Sequence, residues 1–371
     1  MPLTDADILN IIQRTRSSLF DDSRYVVMGG GALYGVMYIG VLQQLCSHCP
    51  RTYAKWVQGL RGVAGTSAGA IVALLVAAGK TPWEMRNIIL QCGLSRIMRG
   101  MLDLQPADMV KAGALTSGMD VDAVCQDLVA MVTGSATTTL AQFAAVTGGR
   151  RFVVVVTNLR TQTPEFWDHL TEPDMPLWLA VRATSSLPLI FPVVELGDGR
   201  QVYDGGVTCN VPTTLFPAHQ TLILLIQNYT APEKPLPSLW LNVVNTLMEA
   251  AQCAALRQLP PAYMRTVPCP FPARPPPLGR LGFHAGKDTI DALVADGALA
   301  VAGVYARDVC MVVMAVRAVL LLLRATQRRQ GLHCPCPADP SPAGPGTRAT
   351  AGLGSPGTPA CRQAPGGPPG L

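Results

Sequence analysis

The chain has 371 residues, of which 49% are hydrophobic and 14% charged, and it carries a formal net charge of +5. That is apolar content for one large core without disulfides. So modest a charge, with no basic–aromatic interleaving, excludes nucleic acid as the expected partner and suits weak attraction to an anionic membrane. Eleven cysteines without framework spacing fit a reducing compartment.

Asp5 to Ser18 reads as an amphipathic helix with Ile8, Ile11 and Ile12 on one face, so residues 1–24 are set apart as an N-terminal helix. Asp5, Asp7 and Arg14 leave no signal-peptide apolar core. The expected location is therefore intracellular, cytoplasmic or peripherally membrane-associated. Tyr25 to Met28 is strand-like and leads into Gly29-Gly30-Gly31-Ala32-Leu33-Tyr34-Gly35, which opens an apolar helix from Val36 to Leu45. A glycine-rich turn into a helix start presents unpaired N–H groups and the positive end of the helix dipole, a place for a phosphate or an oxyanion. A P-loop would need Gly-Lys-Ser/Thr where Tyr34-Gly35-Val36 stands. The dinucleotide fingerprint started at Gly29 would need glycine in place of Tyr34. Both fail, so an oxyanion hole at Gly29, Gly30 and Gly31 is the favoured reading.

Cys46 and Cys49 beside His48 suggest zinc, but no second pair stands at ligand spacing, so thiols are expected there and no metal or other cofactor. Leu60, Val63 and Ala64 suggest a short buried strand, and Ala68 to Ala78 a helix. Between them, Gly65-Thr66-Ser67-Ala68-Gly69 fits Gly-x-Ser-x-Gly at a strand-to-helix turn, where a serine is strained and its hydroxyl exposed. The five residues alone are weak evidence, and their weight comes from the motifs around them. Gly79 ends that helix, and Thr81-Pro82-Trp83-Glu84 is a capping box that starts the next.

Cys92 to Met119 is either a lid, with Met98, Met101, Leu102 and Leu104 facing lipid, or a loop packed over the core. Asp122 to Val132 looks helical, while Phe152 to Thr157 and Thr221 to Gln227 are strands buried on both faces. Strands alternating with helices argue for a mostly parallel sheet covered on both sides. Gly197-Asp198-Gly199-Arg200 reads as a hairpin turn before Tyr203-Asp204-Gly205-Gly206 and Asn210-Val211-Pro212. An aspartate before two glycines is most often a turn residue. Beside an elbow and a glycine-rich turn, Asp204 becomes the candidate base, able to take the serine proton and return it to the leaving group. A three-residue relay would need His219 or His284, both better read as loop or core histidines.

These motifs, in this order, resemble the patatin-like phospholipase family from about Tyr25 to about Val304. The stretch Val181-Arg182-Ala183-Thr184-Ser185-Ser186-Leu187-Pro188-Leu189-Ile190-Phe191-Pro192 looks like that family's approach to its aspartate. The resemblance implies a three-layer α/β/α sandwich with a mostly parallel central sheet, and calcium-independent hydrolysis of acyl esters by a Ser–Asp dyad without histidine. By position it makes Ser67 the nucleophile, Asp204 the base and later acid, and the amides around Gly30 and Gly31 the oxyanion hole. One position departs: the family usually has Arg or Lys where this chain has Tyr34. Either that charge is dispensable, or the protein prefers a less charged lipid, or activity is weakened.

The catalytic domain is expected over 25–305, a basic apolar helix over 306–330, and a disordered Pro/Gly-rich tail over 331–371. Within the first of these, Pro268 to Pro277 reads as an extended surface excursion and Asp288 to Val304 as helical. Val309 to Leu323 contains Arg317; as a helix it spans about 22 Å, short of the ~30 Å hydrocarbon core. A helix lying on the bilayer fits better than a spanning anchor, with a plain core helix as the other option. The expected activity is a lipid acyl hydrolase of phospholipase A or lysophospholipase type. Its partner is membrane phospholipid or another acyl-ester lipid. A non-hydrolytic lipid-binding protein and an acyltransferase using the same dyad are the alternatives.

Overall fold

The computed structural model describes residues 23–48, 50–93, 96, 113–114, 116–227, 265–270 and 286–299. All of them fall in one compact unit, residues 1–316. The expectations for 5–18, for Met98, Met101, Leu102 and Leu104, for His284, and for 309–323 and the tail lie outside the described residues.

β1 (Tyr25–Met28) runs into a 3-10 turn (Ala32–Val36), then α1 (Met37–His48) and α2 (Pro50–Gln58). β2 (Gly62–Gly65) leads to α3 (Ala68–Ala77) and α4 (Pro82–Cys92), followed by α5 (Met119–Thr133) and α6 (Leu140–Val146). β3 (Arg151–Asn158), β4 (Thr163–Trp167), α7 (Leu177–Thr184), β5 (Val194–Glu195) and β6 (Gln201–Asp204) come next. β7 (Thr221–Gln227), β8 (Arg265–Pro270) and α8 (287–299) complete the described elements.

The eight strands form one sheet whose bonded path is β5-β6-β3-β2-β1-β7-β8, with β4 also on β3. The pairs among β3, β2, β1, β7 and β8 are parallel; those of β4, β5 and β6 are antiparallel. The fold is therefore an α/β/α-type sandwich on a mostly parallel sheet. Burial explains the continuous apolar strands, because successive side chains point to opposite faces. Val26, Met28, Val63, Phe152, Val154, Leu222 and Leu224 join a large core with residues from the helices. Val27, Ala64, Val153, Ile223 and Leu225 pack on the other face against Val211 and Phe216 from the segment before β7.

Local signals set several boundaries. Thr81 and Glu84 form both bonds of a capping box, with Pro82 in the first turn of α4. The β5–β6 hairpin turns at Gly199, whose φ of 81° lies in the left-handed region. Arg150 reaches the carbonyls of Val57, Leu60 and Ala77, closing the ends of α2 and α3. Two expectations need correction. The first apolar helix begins as a 3-10 turn at Ala32 and becomes α1 at Met37, not Val36. The proline-rich stretch is partly strand: Pro268 and Pro270 lie in β8, at the end of the sheet path, where a missing N–H is tolerated.

Candidate active site

One register determines where the site forms. Val154 pairs with Gly65 of β2 and with Trp167 of β4, so β2 and β4 lie on opposite edges of β3. Val156 pairs with Glu165 of β4 and with Asp204 of β6, so β6 also lies opposite β4. Hence β2 and β6 share one edge of β3 and meet end to end. Ser67 follows the end of β2, and Asp204 is the end of β6. The strand between them brings together two residues that are distant in sequence.

Ser67 is buried, with φ 53° and ψ −131°, a conformation that a non-glycine residue holds only when its surroundings impose it. Those surroundings are specific. The Ser67 amide donates to Thr184 Oγ1 at 3.0 Å, and that hydroxyl in turn donates to the Val155 carbonyl at 2.5 Å. Thr66 N–H donates to the Met28 carbonyl at 3.1 Å. Gly69 lies against the Met28 and Gly29 carbonyls, where any Cβ would collide, so α3 can start directly on the end of β1.

Asp204 is fully buried. Its Oδ1 accepts the Gly206 amide at 2.7 Å, its amide donates to the Ser186 carbonyl at 3.0 Å, and its carbonyl accepts the Thr157 hydroxyl at 2.9 Å. Burial pushes its carboxyl up to about 7, against the opposing pull of the nearby Ser67 hydroxyl and of the hydrogen bond from the Gly206 amide. Ser67 therefore approaches Asp204 closely enough to favour its charged form. No bond of good geometry has closed between them, and Oδ2 is buried without a partner among the described residues. An acid near neutrality beside a hydroxyl held in a strained turn is a competent proton acceptor and donor.

The glycine-rich loop lies against this pair but differs from expectation. The Gly29 amide donates to the Leu224 carbonyl at 3.0 Å, and its carbonyl accepts the Tyr38 hydroxyl at 2.9 Å. The Gly30 amide donates to both the Asn210 carbonyl at 3.3 Å and Asn210 Oδ1 at 3.1 Å. Two of the three amides read as oxyanion donors are thus already engaged, because the loop needs them to hold its own shape. Gly31 and Ala32 carry amides with no acceptor among the described residues, and Ala32 sits at φ 47°. Tyr34 is fully buried in the large core, so the position where a cation was expected is a packing position.

Asn210, Thr184 and Tyr38 were not singled out by sequence reasoning as parts of the site. Asn210 stands in Asn-Val-Pro, where no local pattern says which backbone it grips. His219 is exposed and contacts Gln220. Cys46 is a buried free thiol whose pKa burial raises.

A sequence model of the patatin-like phospholipase family matches residues 26–217, spanning the glycine-rich loop, Ser67 and Asp204. Uncharacterized protein R571 of Acanthamoeba polyphaga mimivirus is 24% identical over 193 residues, covering 52% of this chain and 60% of that protein. Probable lipid hydrolase 463L of Invertebrate iridescent virus 6 is 24% identical over 188 residues, covering 50% of this chain and 61% of that protein. The chain thus spans about three fifths of the length of these curated relatives. Among solved structures, VipD from Legionella pneumophila is similar at 16% identity and a TM-score of 0.41, over 74% of this chain and 67% of VipD. ExoU from Pseudomonas aeruginosa, in complex with SpcU, is similar at 14% identity and a TM-score of 0.37, over 76% of this chain and 52% of the matched chain.

Proposed function

Because this chain belongs to the patatin-like phospholipase family, we infer that it hydrolyses acyl esters of membrane lipids, with Ser67 as nucleophile and Asp204 as its base. The observation that carries this reading is the buried Asp204 carboxyl, poised near 7 beside the Ser67 hydroxyl. Ser67 Oγ attacks the ester carbonyl carbon as its proton passes to Asp204, and the carbonyl π electrons move onto oxygen. The Gly31 amide, with no acceptor among the described residues, receives that oxyanion. On collapse the ester C–O bond breaks, and Asp204 gives its proton to the departing alkoxide, leaving an acyl-Ser67. Water then attacks the acyl carbon and gives a proton to Asp204. When this second intermediate collapses, the acyl–Oγ bond breaks and the proton returns to Ser67, releasing the fatty acid.

The substrate is an acyl-ester lipid at a membrane surface. The basic apolar segment 309–323, outside the described residues, is the proposed contact with anionic head groups.

The test is labelling of the purified full chain with a fluorescent fluorophosphonate, wild type beside Ser67→Ala and Asp204→Asn, with release of fatty acid from phospholipid vesicles measured in parallel. Labelling and release by wild type that both variants lose is the expected result. Folded wild type that binds vesicles but neither labels nor releases fatty acid would overturn the hydrolase in favour of a lipid-binding protein.

A further inference from the structure

We propose that Asn210 is a positioning residue for that reaction, locking the glycine-rich loop against Ser67 and tying it to the segment that carries Asp204. The inference rests on the hydrolase reading above. Asn210 is buried and lies between Asp204 and β7, on the chain that follows the base. It contacts one glycine through three hydrogen bonds. Its Oδ1 and its main-chain carbonyl both accept from the Gly30 amide, at 3.1 and 3.3 Å, and its Nδ2 donates to the Gly30 carbonyl at 3.4 Å.

A carboxamide suits this place because it carries an acceptor and a donor side by side, matching the N–H and C=O of one peptide residue. Aspartate would keep the acceptor and lose the donor; leucine would lose both. The grip has a target, because Gly30 is where the loop and the nucleophile touch. A Cβ on Gly30 would lie 2.5 Å from Asn210 Oδ1 and 3.2 Å from Ser67 Cβ. Gly30 therefore meets both Asn210 and Ser67 where a side chain would otherwise stand. Thr66 reinforces the same seam, its hydroxyl donating to the carbonyl of Cys209 at 3.3 Å. A loop free to drift by about an ångström would no longer present its amides to the developing oxyanion, and rate is sensitive to displacements of that size.

The experiment compares full-length wild type, Asn210→Ala and Asn210→Asp on one vesicle substrate. Active sites are counted by fluorophosphonate titration, so that turnover is expressed per competent site. For Asn210→Ala, kcat per titrated site is expected to fall about 10- to 100-fold with KM within about threefold, because the lost interaction acts on the transition state. Asn210→Asp, nearly identical in shape, is expected not to restore the rate. A folded variant with kcat per site within about threefold of wild type would overturn the assignment. So would a loss fully explained by fewer titratable sites, the signature of a merely structural residue. If Asn210→Ala does not fold, Asn210→Asp decides alone. Wild type that fails to label sinks the hydrolase reading and this one together, whereas active wild type with unimpaired variants sinks only the role of Asn210.

Discussion

Asp204 occupies a place that costs the folded protein stability whenever it is charged. Burial lifts its carboxyl from an ordinary 3.8 to about 7, so the folded chain keeps a proton that the unfolded chain has released between those values. Stability contributed by that proton is full below about pH 4, declines as pH rises towards 7, and is gone above it. The interval corresponds to on the order of 4 kcal/mol at pH 8. Asp204→Asn is therefore expected to be inactive yet more stable than wild type at pH 8, the gap closing towards pH 4. Denaturant titrations at the two pH values measure it, and an equal gap at both would contradict the buried-charge account. In wild type, kcat/KM is expected to rise as pH passes about 7, where the base becomes charged. At this scale Ser67 and Asp204 were legible because each sits in a short motif of small residues. Asn210 and Thr184 were not, because the backbone groups that they bind are far away in sequence and leave no periodic trace. Tyr34 was legible as a departure, while its reason, complete burial, belongs to packing.

The helices and strands that were read from pattern are those whose pattern is local. Tyr25 to Met28 and Thr221 to Gln227 agree with β1 and β7. The capping box at Thr81 correctly marks the start of α4, and the β-branched run from Phe152 lies within β3. β5 has two residues and no period to read, and the Pro268 strand is concealed by its prolines. The stretch read from Val181 overlaps only the end of α7 (Leu177–Thr184), whose largely buried residues give no polar face to announce a helix. Arg150 is the clearest case of an element-scale interaction. Its guanidinium meets carbonyls at the ends of two helices, where a cation also opposes the negative end of each dipole. Arg150→Met keeps the aliphatic stem and removes these bonds. It is expected to cost about 1–3 kcal/mol by urea denaturation, with kcat per active site unchanged.

Across the whole molecule, the proposed contact with anionic membrane is the arginine-flanked segment 309–323. Replacing Arg317, Arg324, Arg328 and Arg329 with Glu in the full chain is expected to weaken binding to anionic vesicles severalfold. Hydrolysis of a soluble short-chain ester is expected to remain near wild type. Co-sedimentation and a chromogenic ester assay separate the two, and equal vesicle binding by both proteins would remove this segment as the contact.

Since β2 and β6 meet only along one edge of β3, neither segment of the dyad can complete it alone. During refolding, the helices and the parallel pairing of β1 with β2 can form early, with no base yet beside Ser67. The docking of β3, on which β6 depends, spans 89 residues from Gly62 to Arg151 against 37 from Tyr25 to Gly62, so it closes the larger loop and is slower on topological grounds. Esterase activity is therefore expected to return after the helical circular dichroism signal, with a measurable lag. A single shared rate would mean that β6 docks in the same cooperative step as the parallel core.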